Sequence, residues 1–177
     1  MKKYIIIFIM GVIVQTVHGQ QGAQLQKASK TSEISVGMEL CEKLISNFEK
    51  ANVPAIVALF DENATIRFPY AGSLGAPEVF KGTKAYGVQI SRVYATIKDF
   101  KFFNVRITPG RDHEIFWIEC EANGLFTSEN NDRKAEVYEQ KYVMKLHIID
   151  DKIVDYTEYW NPVPIIEHMK ITHIDEG

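Results

Sequence analysis

Two stretches of this chain alternate apolar and polar residues at every second position. Phe116, Ile118, Cys120, Ala122, Gly124 and Phe126 interleave with Trp117, Glu119, Glu121 and Asn123. Tyr138, Gln140, Tyr142, Met144, Leu146 and Ile148 interleave with Glu139, Lys141, Val143, Lys145 and His147. A period of two is the signature of a strand with one covered face and one wet face. Such strands usually belong to antiparallel sheets packed on one side only. Four long strands are predicted in succession: Phe100–Thr108, Glu114–Thr127, Lys134–Ile149 and Lys152–Asn161. Their turns are Pro109-Gly110-Arg111-Asp112, Asn130-Asn131-Asp132 and Asp150-Asp151, rich in the residues that tolerate tight bends.

The helical signals lie before these strands. Met38, Cys41, Leu44, Ile45 and Phe48 recur at helical spacing within Thr31–Lys50. Asn52 is placed to cap a short second helix with Pro54 in its first turn, and Asp61-Glu62-Asn63 reads as its break. A strand Ala64–Pro69 and a loop Tyr70–Pro77 follow. Thr83 is then expected to cap a third helix running to about Lys98, with Tyr86, Ile90, Val93, Tyr94 and Ile97 inward. A final helical turn is expected over Ile165–Lys170. Helices followed by a run of hairpin-linked strands describe an α+β fold. A curved antiparallel sheet wrapped around these helices makes a cone, whose open end is a natural small-molecule pocket.

The chain opens with Lys2-Lys3, an apolar run from Tyr4 to Val14, and a small residue at Gly19 before Gln20. This is the pattern of a cleavable signal peptide over 1–19, with an uncleaved anchor as the alternative. The mature chain is expected to be periplasmic or secreted, without stable membrane insertion. Residues 20–31 read as a flexible leader, 32–170 as a single domain and 171–177 as a tail. Net charge is −3, and removing Lys2 and Lys3 takes it to about −5. A mildly acidic chain without basic runs is not built for nucleic acid. Cys41 and Cys120 are either a disulfide or, on two apolar faces, buried free thiols. His113, His147, His168 and His173 lack metal-ligand spacing. No phosphate loop, nucleophile elbow or Cys-His pair is present, so neither metal nor cofactor is expected.

On the last strand Val154, Tyr156, Glu158 and Trp160 share one face, and Ile153, Asp155, Thr157 and Tyr159 the other. Glu158 is thus a lone carboxyl among aromatic rings, where ionisation is expensive and its pKa should rise. A group tuned in this way moves protons near neutral pH. The alternatives are a solvated strand end or a pair with Arg67 or Arg92. Gln89 lies beside the inward stripe of the third helix, either lining the pocket or on the helix flank. Tyr70, Tyr86, Phe116, Gln140, Tyr156 and Trp160 are the remaining candidate walls, Gln140 having ordinary core held by backbone as its alternative.

The order of elements resembles the nuclear transport factor 2-like superfamily in its SnoaL-like branch, near the phenazine-biosynthesis A/B proteins. The resemblance runs from about Leu59 to Pro162. It rests on Lys81-Gly82, Asp99-Phe100 with Asn104-Val105-Arg106, Phe116-Trp117-Ile118-Glu119-Cys120, Tyr138-Glu139, Asp151-Lys152-Ile153 and Glu158-Tyr159-Trp160-Asn161-Pro162. It implies the cone fold and places the proton-handling carboxylate on Glu158. The partner histidine position carries Gln89, and an arginine and a serine position fall near Ile56 and Val93. Those differences point away from the phenazine condensation itself. The resemblance implies a small, largely apolar or cyclic ligand and, for an enzyme, cofactor-independent isomerisation, cyclisation, condensation or dehydration. Glu158 would then move the proton while Gln89 or a tyrosine hydroxyl stabilises the oxyanion. The alternative is a non-catalytic dimerisation or ligand-sequestering module. Homodimerisation through the outer sheet face, where Trp117 and Tyr159 fall, is the expected assembly.

Overall fold

A computed structural model describes residues 30–127 and 136–174. The expected signal peptide, most of the leader and the Asn130-Asn131-Asp132 turn lie outside the described residues. Helix α1 (30–49) ends in two reversed backbone bonds, Asn52 N–H to Asn47 C=O and Ala51 N–H to Phe48 C=O, both 3.1 Å. Ala51 has the positive φ of 50° that this stop requires. Asn52 then caps α2 (Val53–Val57), its side chain accepting from Ala55 N–H at 3.2 Å.

Strand β1 (Phe60–Arg67) begins earlier than its sequence suggests. Asp61-Glu62-Asn63 does not break the chain but stays extended through an irregularity in pairing between Phe60 and Thr65. A 3-10 turn (Ala71–Leu74) and the short β2 (Val79–Lys81) lead into α3 (Thr83–Thr96). Gly82, not Thr83, holds the cap position of α3, with φ of 80°. A Cβ there would sit 2.9 Å from Glu62 O, so the close approach to β1 requires glycine. The helix stops at Thr96 because Ile97 and Lys98 already belong to β3 (Ile97–Pro109).

The remaining strands are β4 (Ile115–Phe126), β5 (Val137–Ile149) and β6 (Lys152–Trp160), followed by α4 (Val163–Ile174). The last helix is longer than the single turn the sequence indicates. The sheet order is β2-β1-β6-β5-β4-β3. Strands β3 to β6 pair antiparallel as expected, and so do β1 and β2. Strand β1 lies parallel to β6, so the sheet is mixed rather than purely antiparallel. Asp150 and Asp151 both take left-handed φ, 49° and 59°, in the two-residue hairpin before β6.

Curvature comes from bulges. The β3–β4 register slips between Lys98 and Lys101 and again between Phe103 and Arg106. Asp99 (φ 57°) and Asn104 (φ 53°) stand at these slips, residue types that tolerate the left-handed region. Alternation on β4 and β5 holds throughout, with every inward residue named above buried. On β6 a slip between His147 and Ile148 leaves Val154 extra, so Ile153 turns into the core rather than outward. Tyr156, Glu158 and Trp160 keep the inward parity read from the sequence.

Candidate functional site

A cavity of about 270 Å³ opens between α3, the inner sheet face, the Ala71–Pro77 loop and α4. Its deep walls are Tyr86, Ile90, Phe100, Tyr138, Tyr142 and Met144, all buried. Phe68, Phe102 and Trp160 continue the aromatic lining, and exposed Arg92, Thr96 and Pro77 mark the rim. Ile165 of α4 forms part of the wall. Helix α4 is held by His168, which stacks on Phe126 at 3.8 Å and shares a 2.6 Å hydrogen bond with Glu136.

Among the described residues Glu158 is the sole carboxyl lining this cavity. It is half-buried, and register sets it opposite Met144, with Trp160 opposite Tyr142. Tyr142 and Glu158 are thus diagonal neighbours on one wall, roughly 7 Å apart by strand geometry. The Tyr156 hydroxyl donates to Glu158 Oε2 at 2.5 Å. Burial raises the Glu158 pKa from 4.5 to about 7, and the hydrogen bond from Tyr156 lowers it less than burial raises it. Among the described residues no basic side chain neutralises it: Arg67 pairs with Asp155 on the other face, and Arg92 has no acidic partner. Of the readings open for Glu158, the pocket carboxyl is the one with matching geometry.

The tyrosines stay protonated. Burial, and secondarily the Glu158 charge, holds Tyr86 and Tyr156 well above the usual phenol range. Tyr142 is raised in the same way, by burial and then by Tyr138 and Glu158. The Tyr138 and Tyr142 hydroxyls are 2.8 Å apart. Two hydroxyls carry two protons and their mutual bond uses one, so the pair has one donor left for the cavity. Tyr94 donates instead to Phe48 C=O at 2.8 Å.

Of the residues expected at the site, Glu158, Gln89, Tyr86 and Trp160 line the cavity. Tyr156 stands behind the wall, fully buried, and acts through its bond to Glu158. Three expected walls are elsewhere. Phe116 is inward but covered by α1: a Cβ on Gly37 would fall 2.1 Å from its ring. Gln140 is inward but engaged by backbone, accepting from Asn161 N–H and Lys141 N–H and donating to Asn161 C=O at 2.7 Å. Tyr70 is exposed and faces Tyr159, ring centres 6.1 Å apart. Tyr138 and Tyr142 were legible only as inward positions on β5, and Arg92 only as a possible partner of Glu158.

Cys41 and Cys120 are free and buried, and burial pushes both thiols up to about 12, out of nucleophilic range. Among the described residues no three His, Cys, Asp or Glu side chains converge to hold a metal ion. No described helix is long and apolar enough to cross a membrane.

A curved mixed sheet wrapped on helices around an aromatic cavity with one half-buried carboxyl defines an α+β cone. Residues 41–156 match the SnoaL-like domain, and the chain belongs to that family within the nuclear transport factor 2-like superfamily. It is similar to the uncharacterized protein YesE of Bacillus subtilis (strain 168), 25% identical over 143 residues, covering 77% of this chain and 88% of that one. A Bacillus subtilis structure named "Putative Isomerase" superposes with TM-score 0.67 at 25% identity, over 76% of this chain and 93% of that chain. The phenazine biosynthesis-related protein phzb2 of Pseudomonas aeruginosa shares the fold, with TM-score 0.64 and 17% identity over 79% of this chain and 88% of that one.

Proposed function

We propose that this protein binds a small, largely apolar cyclic molecule in its cone and performs cofactor-independent acid–base chemistry on it through Glu158. The observation that carries this reading is a lone carboxyl on an aromatic wall, with its pKa raised to about 7 and, among the described residues, no cation paired with it. At that pKa both protonation states are populated near neutral pH, as a group that takes and returns a proton requires. The Tyr138–Tyr142 pair supplies a neutral donor close by for an oxygen that gains charge. Gln89 lines the same cavity, and its amide is a donor for holding the ligand. Proton abstraction beside a carbonyl, followed by its return at another carbon, is the simplest reaction this set performs. Isomerisation, cyclisation, condensation and dehydration of carbonyl compounds all contain such a step.

The basic start and apolar run of the first 19 residues support export to the periplasm or medium. Exposed Trp117 and Val143, with half-buried Tyr159 across the same outer sheet face, support a homodimer through that face. A second reading, a ligand-sequestering module, draws on Gln89, whose amide holds a ligand but exchanges no proton near neutral pH.

The test is a screen of cyclic ketones in deuterated buffer, read by mass spectrometry for label at the carbon beside the carbonyl. Exchange by the wild type that falls about 10²- to 10⁴-fold in Glu158→Gln supports catalysis. Saturable binding without exchange in either protein leaves the sequestering module as the function.

A further inference from the structure

Three residues of α3 that line the cavity fall on one helical stripe: Gln89, Arg92 and Thr96, at i, i+3 and i+7. They are the polar edge of a mostly aromatic and aliphatic space. Among the described residues that line the cavity, Arg92 is the sole basic side chain and Glu158 the sole carboxyl. No described hydrogen bond or ion pair engages the Arg92 guanidinium or the Gln89 amide. Thr96 differs, since its hydroxyl donates to Arg92 C=O at 3.1 Å. The stripe begins at half-buried Gln89 and ends at exposed Arg92 and Thr96. A cation without an acidic partner among the described residues, at the rim of a mostly apolar pocket in a chain whose net charge is −3, favours an anionic ligand group.

Resting on the small-molecule reading above, we infer that the ligand is a carboxylate-bearing cyclic compound whose carboxylate is held at the rim by Arg92 and Gln89. The planar guanidinium fork matches a carboxylate through two parallel hydrogen bonds. The Gln89 amide, one turn inward, adds a neutral donor to the same group. One cation balances one negative charge, so a monoanion fits and a phosphate dianion is left undercompensated. The ring system then lies along Phe68, Phe102 and Trp160, with its far end toward Glu158 and the Tyr138–Tyr142 pair. A cavity of about 270 Å³ suits one ring or two fused rings rather than a long polycyclic skeleton. The substrate is therefore polarised along its length, anionic at the rim and neutral at the reacting end.

The experiment compares two probes of equal shape, 2-naphthoate and 2-naphthalenemethanol, by calorimetric titration of the full chain at about pH 6, where the naphthoate carboxyl is ionised. The wild type should bind naphthoate about tenfold more tightly than the alcohol, the scale of a charge-assisted pair at a partly exposed site. Arg92→Gln should remove that preference while leaving alcohol binding within about twofold, and Arg92→Lys should restore part of it. Equal affinity of the wild type for both probes, or a naphthoate preference that survives Arg92→Gln, overturns the inference while leaving the cavity reading intact. Binding of neither probe overturns both. Anion preference is read without turnover, so a failure of Glu158 catalysis is seen separately in the exchange assay.

Discussion

Asp155 and Glu158 stand three residues apart on β6, one on each face of the sheet. Asp155 is half-exposed and paired with Arg67, a surface arrangement that keeps its charge solvated and matched. Glu158 has the same functional group and a tyrosine hydroxyl instead of a cation, and burial moves its pKa to about 7. The same division recurs on β4. Outward Glu119 faces Arg106 at 3.6 Å and outward Glu121 accepts from Asn104, while the inward positions beside them carry Ile118 and Cys120. Strand parity, more than residue type, decides which carboxyl here is desolvated.

Substitutions on the two faces should separate accordingly. The largest contrast is between Ile118 and Val143, inward and outward residues of adjacent strands. Ile118→Ala is expected to lose about 2–5 kcal/mol in urea unfolding through the cavity it leaves. Val143→Ala should stay within about 0.5 kcal/mol. A comparable loss at both would mean that the outer face is covered, as a dimer would cover it, and light scattering would then show the assembly.

Next in size is the pH dependence of Glu158. Its folded pKa lies above its unfolded value, so the native state binds more protons between pH 4.5 and about 7. Its contribution is fully present below pH 4.5 and is lost as pH rises through about 7, for a total of up to about 3 kcal/mol. Glu158→Gln removes this slope, so the variant should become the more stable protein above neutrality. Matched unfolding curves at acid and alkaline pH check it, and parallel pH profiles for the two proteins would contradict it.

Tyr156→Phe sharpens the inner face further. The hydroxyl stabilises the ionised carboxylate, so its removal should move the Glu158 pKa above about 7, read by carboxyl-carbon chemical shift. The smallest effect belongs to the outer face. Arg67→Ala breaks a half-exposed pair and should change unfolding free energy by no more than about 1 kcal/mol.

The sequence makes the faces legible but not their coverage. Alternation places Phe116, Gln140 and Tyr142 inward, and all three are. Only Tyr142 reaches the cavity, because α1 lies on Phe116 and the Asn161 backbone takes up Gln140. These are contacts between segments far apart in the chain, and local periodicity carries no information about them. The parallel β1–β6 pairing is hidden for the same reason. Asp61-Glu62-Asn63 shows the opposite limit: three residues poor in strand propensity stay extended within β1 between the paired positions Phe60 and Thr65, with Glu62 and Asn63 in solvent. Asp99 and Asn104 carried a usable signal, being the residue types that accept the left-handed bulges that bend the sheet.

The most direct test of the account is the ionisation constant of Glu158, measured by carbon-detected NMR titration of labelled protein with Glu158→Gln as the assignment control. A midpoint near 7 is predicted for a desolvated carboxyl on the cavity wall. A midpoint near 4.5 would mean a solvated or neutralised carboxylate and would contradict the proposed acid–base role.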